Sequence, residues 1–219
     1  LKNEFTKKKK KKKMYATEKI DGTNARIICY GSEYLIGARE FILHHSDDLY
    51  FDNAQEIVTG LKSLNVDIPK TEKLTVIYGE FYSGKTSANS KWYGKEKNGF
   101  RVFDIVVYED LSILEKDLSE ISKWRETETE DGIKYGQNFI SRLEMKTKFP
   151  KFEFVPLIDF DLGDMSHKII MDNLNKFIPK TTVSLTETAL NKAEGLVLRN
   201  DNRSKIVKIR FEDYERSLR

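Results

Sequence analysis

The eight residues Thr17-Glu18-Lys19-Ile20-Asp21-Gly22-Thr23-Asn24 constrain this chain more than any other stretch. Met14 to Ile20 is a short apolar-alternating run, the pattern of a half-buried strand, with Lys19 near its end. Gly22 and Asn24 supply turn chemistry, and Ala25 to Tyr30 reads as the returning strand of a hairpin. A lysine at such a rim can point into a cleft, where partial burial or neighbouring cations make an amine nucleophilic. Taken alone, the eight residues are better explained by an ordinary exposed lysine beside a tight turn. What shifts the balance lies farther along.

The chain has 219 residues, enough for one large or two small domains, and 39% hydrophobic with 33% charged residues is a soluble globular composition. No apolar run approaches the roughly 20 residues of a membrane span. The chain opens on Leu1, which reads as a trimmed start, and no apolar segment follows the basic run to make a signal peptide. One cysteine, Cys29 in the run Ile27-Ile28-Cys29, excludes a disulfide framework and a multi-cysteine zinc site. It reads as a buried thiol, and an intracellular, cytoplasmic home is expected. The net charge of +3 misleads: without the seven lysines of Lys7–Lys13, 31 basic residues face 35 acidic ones, a balance of −4. Residues 1–13 are therefore a lysine-rich tail on a body, 14–219, whose polyanion site must be a local patch.

Along that body, Glu33 to Arg39 continues as strand, and His44-His45 with Asp47-Asp48 forms a polar surface turn. Ala54, Ile57, Val58, Leu61 and Leu64 have helical spacing within Asn53–Leu64. Leu74–Phe81 and Phe100–Tyr108 are rich β runs, separated by a long surface loop, Tyr82–Gly99, with lysines at 85, 91, 95 and 97. Asp117–Glu130 and Gln137–Phe149 read as helices and Phe152–Leu157 as a short strand. Ser166 caps a further helix ended near Pro179, and Gly195–Arg199 and Lys205–Phe211 are two apolar strands. With no repeat or linker in view, one α+β unit is the simplest architecture.

Gly79-Glu80-Phe81-Tyr82-Ser83-Gly84-Lys85-Thr86 matches the phosphate-loop pattern of an NTPase, a different class of enzyme. Bulky residues stand where backbone must wrap phosphate, and Ser87 to Gly99 lacks helical spacing, so the match reads as coincidence. His44-His45 and the group Asp159, Asp161, Asp164 lack metal-ligand spacing. Grouped differently, the same chain supplies a nucleophile candidate (Lys19), strand-end carboxylates (Glu80, Glu194), an aromatic-acid pair (Phe103-Asp104) and two cations on one strand face (Lys208, Arg210). Each piece alone has a bland explanation. Covalent nucleotidyl transfer needs the whole inventory.

In this order the motifs resemble the covalent nucleotidyltransferase superfamily, and within it the nick-sealing ATP-dependent RNA ligases of the RNA ligase 2 type. Glu18-Lys19-Ile20-Asp21-Gly22-Thr23-Asn24 matches the lysine motif, Ala38-Arg39 the arginine motif and Tyr78-Gly79-Glu80 the glutamate motif. Val102-Phe103-Asp104, Glu194-Gly195-Leu196-Val197 and Lys208-Ile209-Arg210 match the remaining three. The resemblance implies an ATP-grasp-like adenylation domain of largely antiparallel sheets flanked by helices. It implies ATP and Mg²⁺ or Mn²⁺ as cofactors, AMP carried on Lys19, and RNA ends or a nicked RNA duplex as partner of a monomer. Glu194 and Glu80 are then the metal candidates, with Glu80 also near the ribose. Phe103 stacks on adenine, and the backbone about Glu18 and Ile20 reads its edge. Asn24 and Arg39 orient phosphates or the RNA end, Lys208 and Arg210 face the phosphates, and Asp104 serves the later steps. Asn24 separates this branch from DNA ligases and GTP-using capping enzymes, which carry arginine there. Arg210 replaces the family's second lysine, keeping charge without the same geometry. The lysines at 85, 91 and 95 read as RNA phosphate contacts or equally as a solvated loop. A partner or a further C-terminal domain is expected to supply grip on RNA.

Overall fold

A computed structural model describes residues 14–53, 55–126, 137–160, 174–201, 203 and 205–213. The elements in chain order are β1 (Tyr15–Lys19), β2 (Gly22–Gly31), β3 (Glu33–Gly37), β4 (Ile42–His45), β5 (Asp48–Leu49) and α1 (Ile57–Ser63). There follow β6 (Thr71–Ser83), β7 (Asn98–Tyr108), α2 (Leu118–Glu126), β8 (Asn138–Phe139), α3 (Arg142–Lys148), β9 (Leu157–Ile158), β10 (Gly195–Arg199) and β11 (Ile206–Arg210). They form two sheets with antiparallel pairing: seven strands ordered β5-β4-β3-β2-β6-β7-β8, and four ordered β11-β10-β1-β9.

The expected first hairpin is therefore a crossing. β1 pairs with β10 and β9 in the small sheet, while β2 pairs with β3 and β6 in the large one. Gly22 makes no turn: it lies in β2 opposite Tyr82, where an added Cβ would come 2.4 Å from the Phe81 carbonyl oxygen. Close approach of two backbones, rather than a left-handed conformation, demands glycine there.

Period-two patterning gives each sheet two chemically distinct faces. In the small sheet, Ala16, Leu196, Leu198 and Ile209 bury themselves with Leu174 and Ile178. In the large sheet, Ala25, Ile27, Cys29, Ile77, Phe81 and Ile105 form the core under Ile57, Val58 and Leu61 of α1. The first turn of α1 is held by Asp52, whose carboxylate accepts from the Val58 and Thr59 N–H groups, both at 3.2 Å. Burial of each such aliphatic side chain is worth about 1.5–3 kcal/mol.

Four further expectations change. His44 and His45 belong to β4, and His44 is fully buried, stacked on Tyr34 with ring centroids 5.4 Å apart. Tyr82–Gly99 is no simple surface loop: Tyr82 and Tyr93 are fully buried, and β6 runs on to Ser83. Gln137–Phe149 divides because Phe139 adds to the edge of β7, after which Ser141 and Glu144 form a capping box that starts α3. In place of a Phe152–Leu157 strand, Phe154 bridges Val102 in parallel fashion and β9 begins at Leu157. The lysine run, Ser166, Asp161 and Asp164 lie outside the described residues.

Candidate active site

The polar faces of the two sheets look at one another across a cleft of about 800 Å³. From the small sheet come Thr17 and Lys19 of β1, Val197 and Arg199 of β10, and Ile206 and Lys208 of β11. Antiparallel register explains the grouping: Lys19 lies opposite Gly195, Thr17 opposite Val197, and Val197 opposite Lys208. From the large sheet come Asn24 and Arg26 of β2, Tyr78 and Glu80 of β6, and Phe103 and Asp104 of β7. Asn24 is the direct cross-strand neighbour of Glu80, and Tyr78 of Asp104.

Lys19 does not face open solvent. Its Nζ sits 2.6 Å from Glu194 Oε2, and about a fifth of each side chain is accessible, 20% and 18%. Glu80 stands close enough that Lys19, Glu194, Asp21 and Lys208 all act on its charge. Burial outweighs the cations and pushes the Glu80 carboxyl up to about 7; burial likewise raises Glu194, against the pull of Lys19. The Glu194 charge adds to the rise at Glu80, and Asp21 to the rise at Glu194, so these buried carboxylates form a site that welcomes a cation. Among the described residues no three His, Cys, Asp or Glu side chains cluster as metal ligands. Two carboxylates suit Mg²⁺ or Mn²⁺ that keeps several of its waters.

Glu18 points the other way. Its carboxylate, 1% exposed, accepts from the Thr182 N–H at 2.9 Å, the Thr182 hydroxyl at 2.6 Å and the Thr181 hydroxyl. Its own N–H donates to the Pro156 carbonyl at 3.0 Å, so that donor is committed. Ile20 packs with Tyr82, Tyr93, Val155 and Val183, and Phe103 packs against the same cluster. Arg39 reaches the cleft from an exposed position after β3, and the Arg26 guanidinium grips the Ala38 carbonyl at 2.8 Å and the Arg39 carbonyl beside it. Of the expected residues, two are absent from the cleft lining: Glu194, which meets it through Lys19, and Arg210, whose guanidinium pairs with Asp213, at 3.0 Å from Nε. Arg210 still lies near enough to act on the charge of Glu194.

Asp104 is buried and already paired, with the Arg199 guanidinium and, at 3.1 Å, with Arg203. Arg199 also donates to the Phe103 carbonyl at 3.0 Å, tying β10 of one sheet to β7 of the other. Tyr78 stood in the sequence only as the opening residue of the glutamate motif, and the arginines Arg26, Arg125, Arg199 and Arg203 were not singled out there. Of these arginines only Arg199 left a trace, as a charged residue two positions from Val197 on an otherwise apolar strand. The phosphate-loop match dissolves: Gly79–Ser83 is extended strand, Lys85 pairs with Glu56, and no α-helix lies between β6 and β7.

A protein-family model described as RNA ligase matches residues 12–211. The chain belongs to the RNA ligase family. Solved structures of a Naegleria gruberi RNA ligase share the fold of this family member. A mutant with ATP and Mn superposes with a TM-score of 0.53 at 16% identity, covering 93% of this chain and 51% of that one. The form with PPi gives 0.52 and 17%, covering 93% and 51%. A mutant with AMP and Mn gives 0.52 and 16%, covering 94% and 52%. This chain thus spans about half the length of those proteins. No curated protein matches it in sequence.

Proposed function

We propose that this chain performs the nucleotidyl transfer of an ATP-dependent RNA ligase, joining RNA 5′-phosphate and 3′-hydroxyl ends through AMP carried on Lys19. The observation that carries this reading is the placement of Lys19 inside the cleft, its Nζ 2.6 Å from Glu194, with Glu80, Asn24, Phe103 and Lys208 along the same walls.

In the first step the neutral Lys19 amine attacks the α-phosphorus of ATP. A P–N bond forms, the bond from the α-phosphorus to the bridging oxygen breaks, pyrophosphate leaves with that oxygen, and the nitrogen gives up one further proton to pyrophosphate or water. An ammonium cannot attack, so the ion pair with Glu194 must open and a proton depart beforehand. In the second step an RNA 5′-phosphate oxygen displaces the lysine from phosphorus, and the amine regains a proton. In the third step a 3′-hydroxyl attacks the activated 5′-phosphorus, the new phosphodiester forms and AMP leaves.

The chain's residues divide the labour. Phe103 and Val155 offer an apolar slot for the base, and Glu80 faces the ribose. Lys208, with Arg39, offsets charge on the phosphates, where preorganised electrostatics is usually the largest contribution. Glu80 and Glu194 would hold a divalent metal, which would supply charge neutralisation at the reacting phosphate. Grip on RNA beyond the cleft is assigned to a partner or further domain.

Intact mass after incubation with ATP and Mg²⁺ tests the proposal. The expected result is one AMP increment, acid-labile and absent from Lys19→Ala. AMP uptake that survives in Lys19→Ala, or none by the parent protein, overturns it. Label taken from GTP instead of ATP, or passed to DNA nicks in preference to RNA nicks, moves the protein to another branch of the superfamily.

A further inference from the structure

Lys19 stands where the chain leaves one sheet for the other. β1 ends at Lys19 and β2 begins at Gly22, so the crossing has no strand ladder of its own. Its polar groups need partners from elsewhere. Two come from the segment between β6 and β7. The Asp21 N–H donates to the Tyr93 hydroxyl at 2.8 Å, and the Asn89 side-chain amide donates to the Asp21 carboxylate at 2.6 Å.

On the other side of Lys19, Thr181 and Thr182 hold the Glu18 carboxylate. These two anchors are themselves joined. The Leu185 N–H donates to the Tyr93 carbonyl at 2.6 Å, and the Asn191 N–H to the Trp92 carbonyl at 3.0 Å. Residues 89–93 and 181–191 therefore make one bracket around the nucleophile. Tyr93 is fully buried within it, edge-on to Tyr82 with ring centroids 5.1 Å apart. Gly94, at φ 120°, closes the bracket where an added Cβ would come 2.6 Å from the Thr186 hydroxyl. A buried tyrosine hydroxyl finds a hydrogen-bond partner, and the choice of partner is informative. The Tyr82 hydroxyl donates to the Val183 carbonyl at 3.1 Å, away from the crossing, whereas the Tyr93 hydroxyl takes the crossing itself.

We propose that Tyr93, with Asn89, is a positioning residue for the nucleophile: through Asp21 it fixes the crossing, so that the Lys19 side chain moves between Glu194 and the cleft and nowhere else. This rests on the reading of Lys19 given above. Nothing in it requires Tyr93 to touch the nucleotide. Its effect belongs to the rate of attack and not to ATP affinity, because a reacting atom displaced by about 1 Å can cost about 100-fold.

The test compares the full chain with Tyr93→Phe and Tyr82→Phe. The second variant also loses a fully buried hydroxyl, but one bonded away from the crossing, and so reports plain loss of stability. Single-turnover AMP uptake is followed by mass at several ATP concentrations. Tyr93→Phe is expected to lower the maximal rate about tenfold or more, with the half-saturating ATP concentration little changed. Tyr82→Phe is expected to keep the parent rate.

A readout independent of ATP is reductive methylation of the folded protein, resolved by peptide mass. In Tyr93→Phe, labelling of Lys19 rises toward that of exposed Lys73, while Tyr82→Phe labels Lys19 as the parent does. Equal Lys19 labelling in all three proteins overturns the proposal, as does a Tyr93→Phe defect residing wholly in ATP affinity or matched by Tyr82→Phe. Should Tyr93→Phe not fold, Asn89→Ala at a half-buried position removes the same anchor on Asp21 and is judged by the same outcomes. A parent protein that takes up no AMP but shows the labelling difference sinks the ligase reading and leaves the positioning role standing.

Discussion

Glu80 carries the clearest pH signature among the residues of the cleft. Burial raises its carboxyl from 4.5 to about 7, so the folded protein favours the protonated form over the range in which the unfolded chain has already released the proton. A raised carboxyl contributes stability that is full below the unfolded value and lost as pH climbs through the folded one. The window here is about pH 4.5 to 7. Glu80→Gln, neutral throughout, is expected to melt close to the parent at the acid end and increasingly above it toward pH 7, in melts run without nucleotide or metal. A constant difference across the window contradicts the assignment. The same residue shows what a sequence can and cannot disclose. Glu80 was legible as a strand-end carboxylate in a motif; Lys19, Asn24, Phe103, Asp104 and Lys208 were legible in motifs too and line the same cleft, and Glu194, likewise legible, meets it through Lys19. Asp213 drawing Arg210 aside, and Asn89 and Tyr93 reaching Asp21, are pairings made in space that no local spacing encodes.

At the scale of elements, strand patterning identified β6, β7, β10 and β11 because period two survives any tertiary arrangement. It could not tell which sheet a strand joins, and so Gly22-Thr23-Asn24 looked like a turn when it begins β2 of the second sheet. Gln137–Phe149 looked like one helix because Phe139, Ile140 and Leu143 have helical spacing, yet pairing of Phe139 with Val106 took its first part into a strand. Between the two sheets, Asp104 is the charged rivet: Arg199, 5% exposed in its side chain, and Arg203, 30% exposed, both pair with it. Removing one member of a buried pair costs about 3–5 kcal/mol because the other is left uncompensated. Arg199→Ala is therefore expected to lose about that much in urea denaturation, and Arg203→Ala clearly less because water reaches it. Equal losses would show that the rivet depends on total charge instead of on burial.

For the whole molecule, the cleft belongs to neither sheet, and a ligand filling it must touch both. An ATP analogue with a carbon bridge between its α- and β-phosphates cannot transfer AMP, and at about 100 times its Kd it should add about 2.7 kcal/mol to stability. Amide exchange should slow together in β1 and β10 of the small sheet and in β6 and β7 of the large one. Protection confined to one sheet would mean the cleft is occupied from one wall only. The division also orders events during synthesis. The strands of the large sheet are complete by Phe139, whereas β1 must wait for Leu157–Ile158 and Gly195–Arg199 to pair with it. A nascent chain on the ribosome can form the large sheet while Lys19 still hangs on an unmatched ribbon. Lys19 can therefore meet Glu194, and the two walls of the cleft can close on each other, only after β10 has emerged.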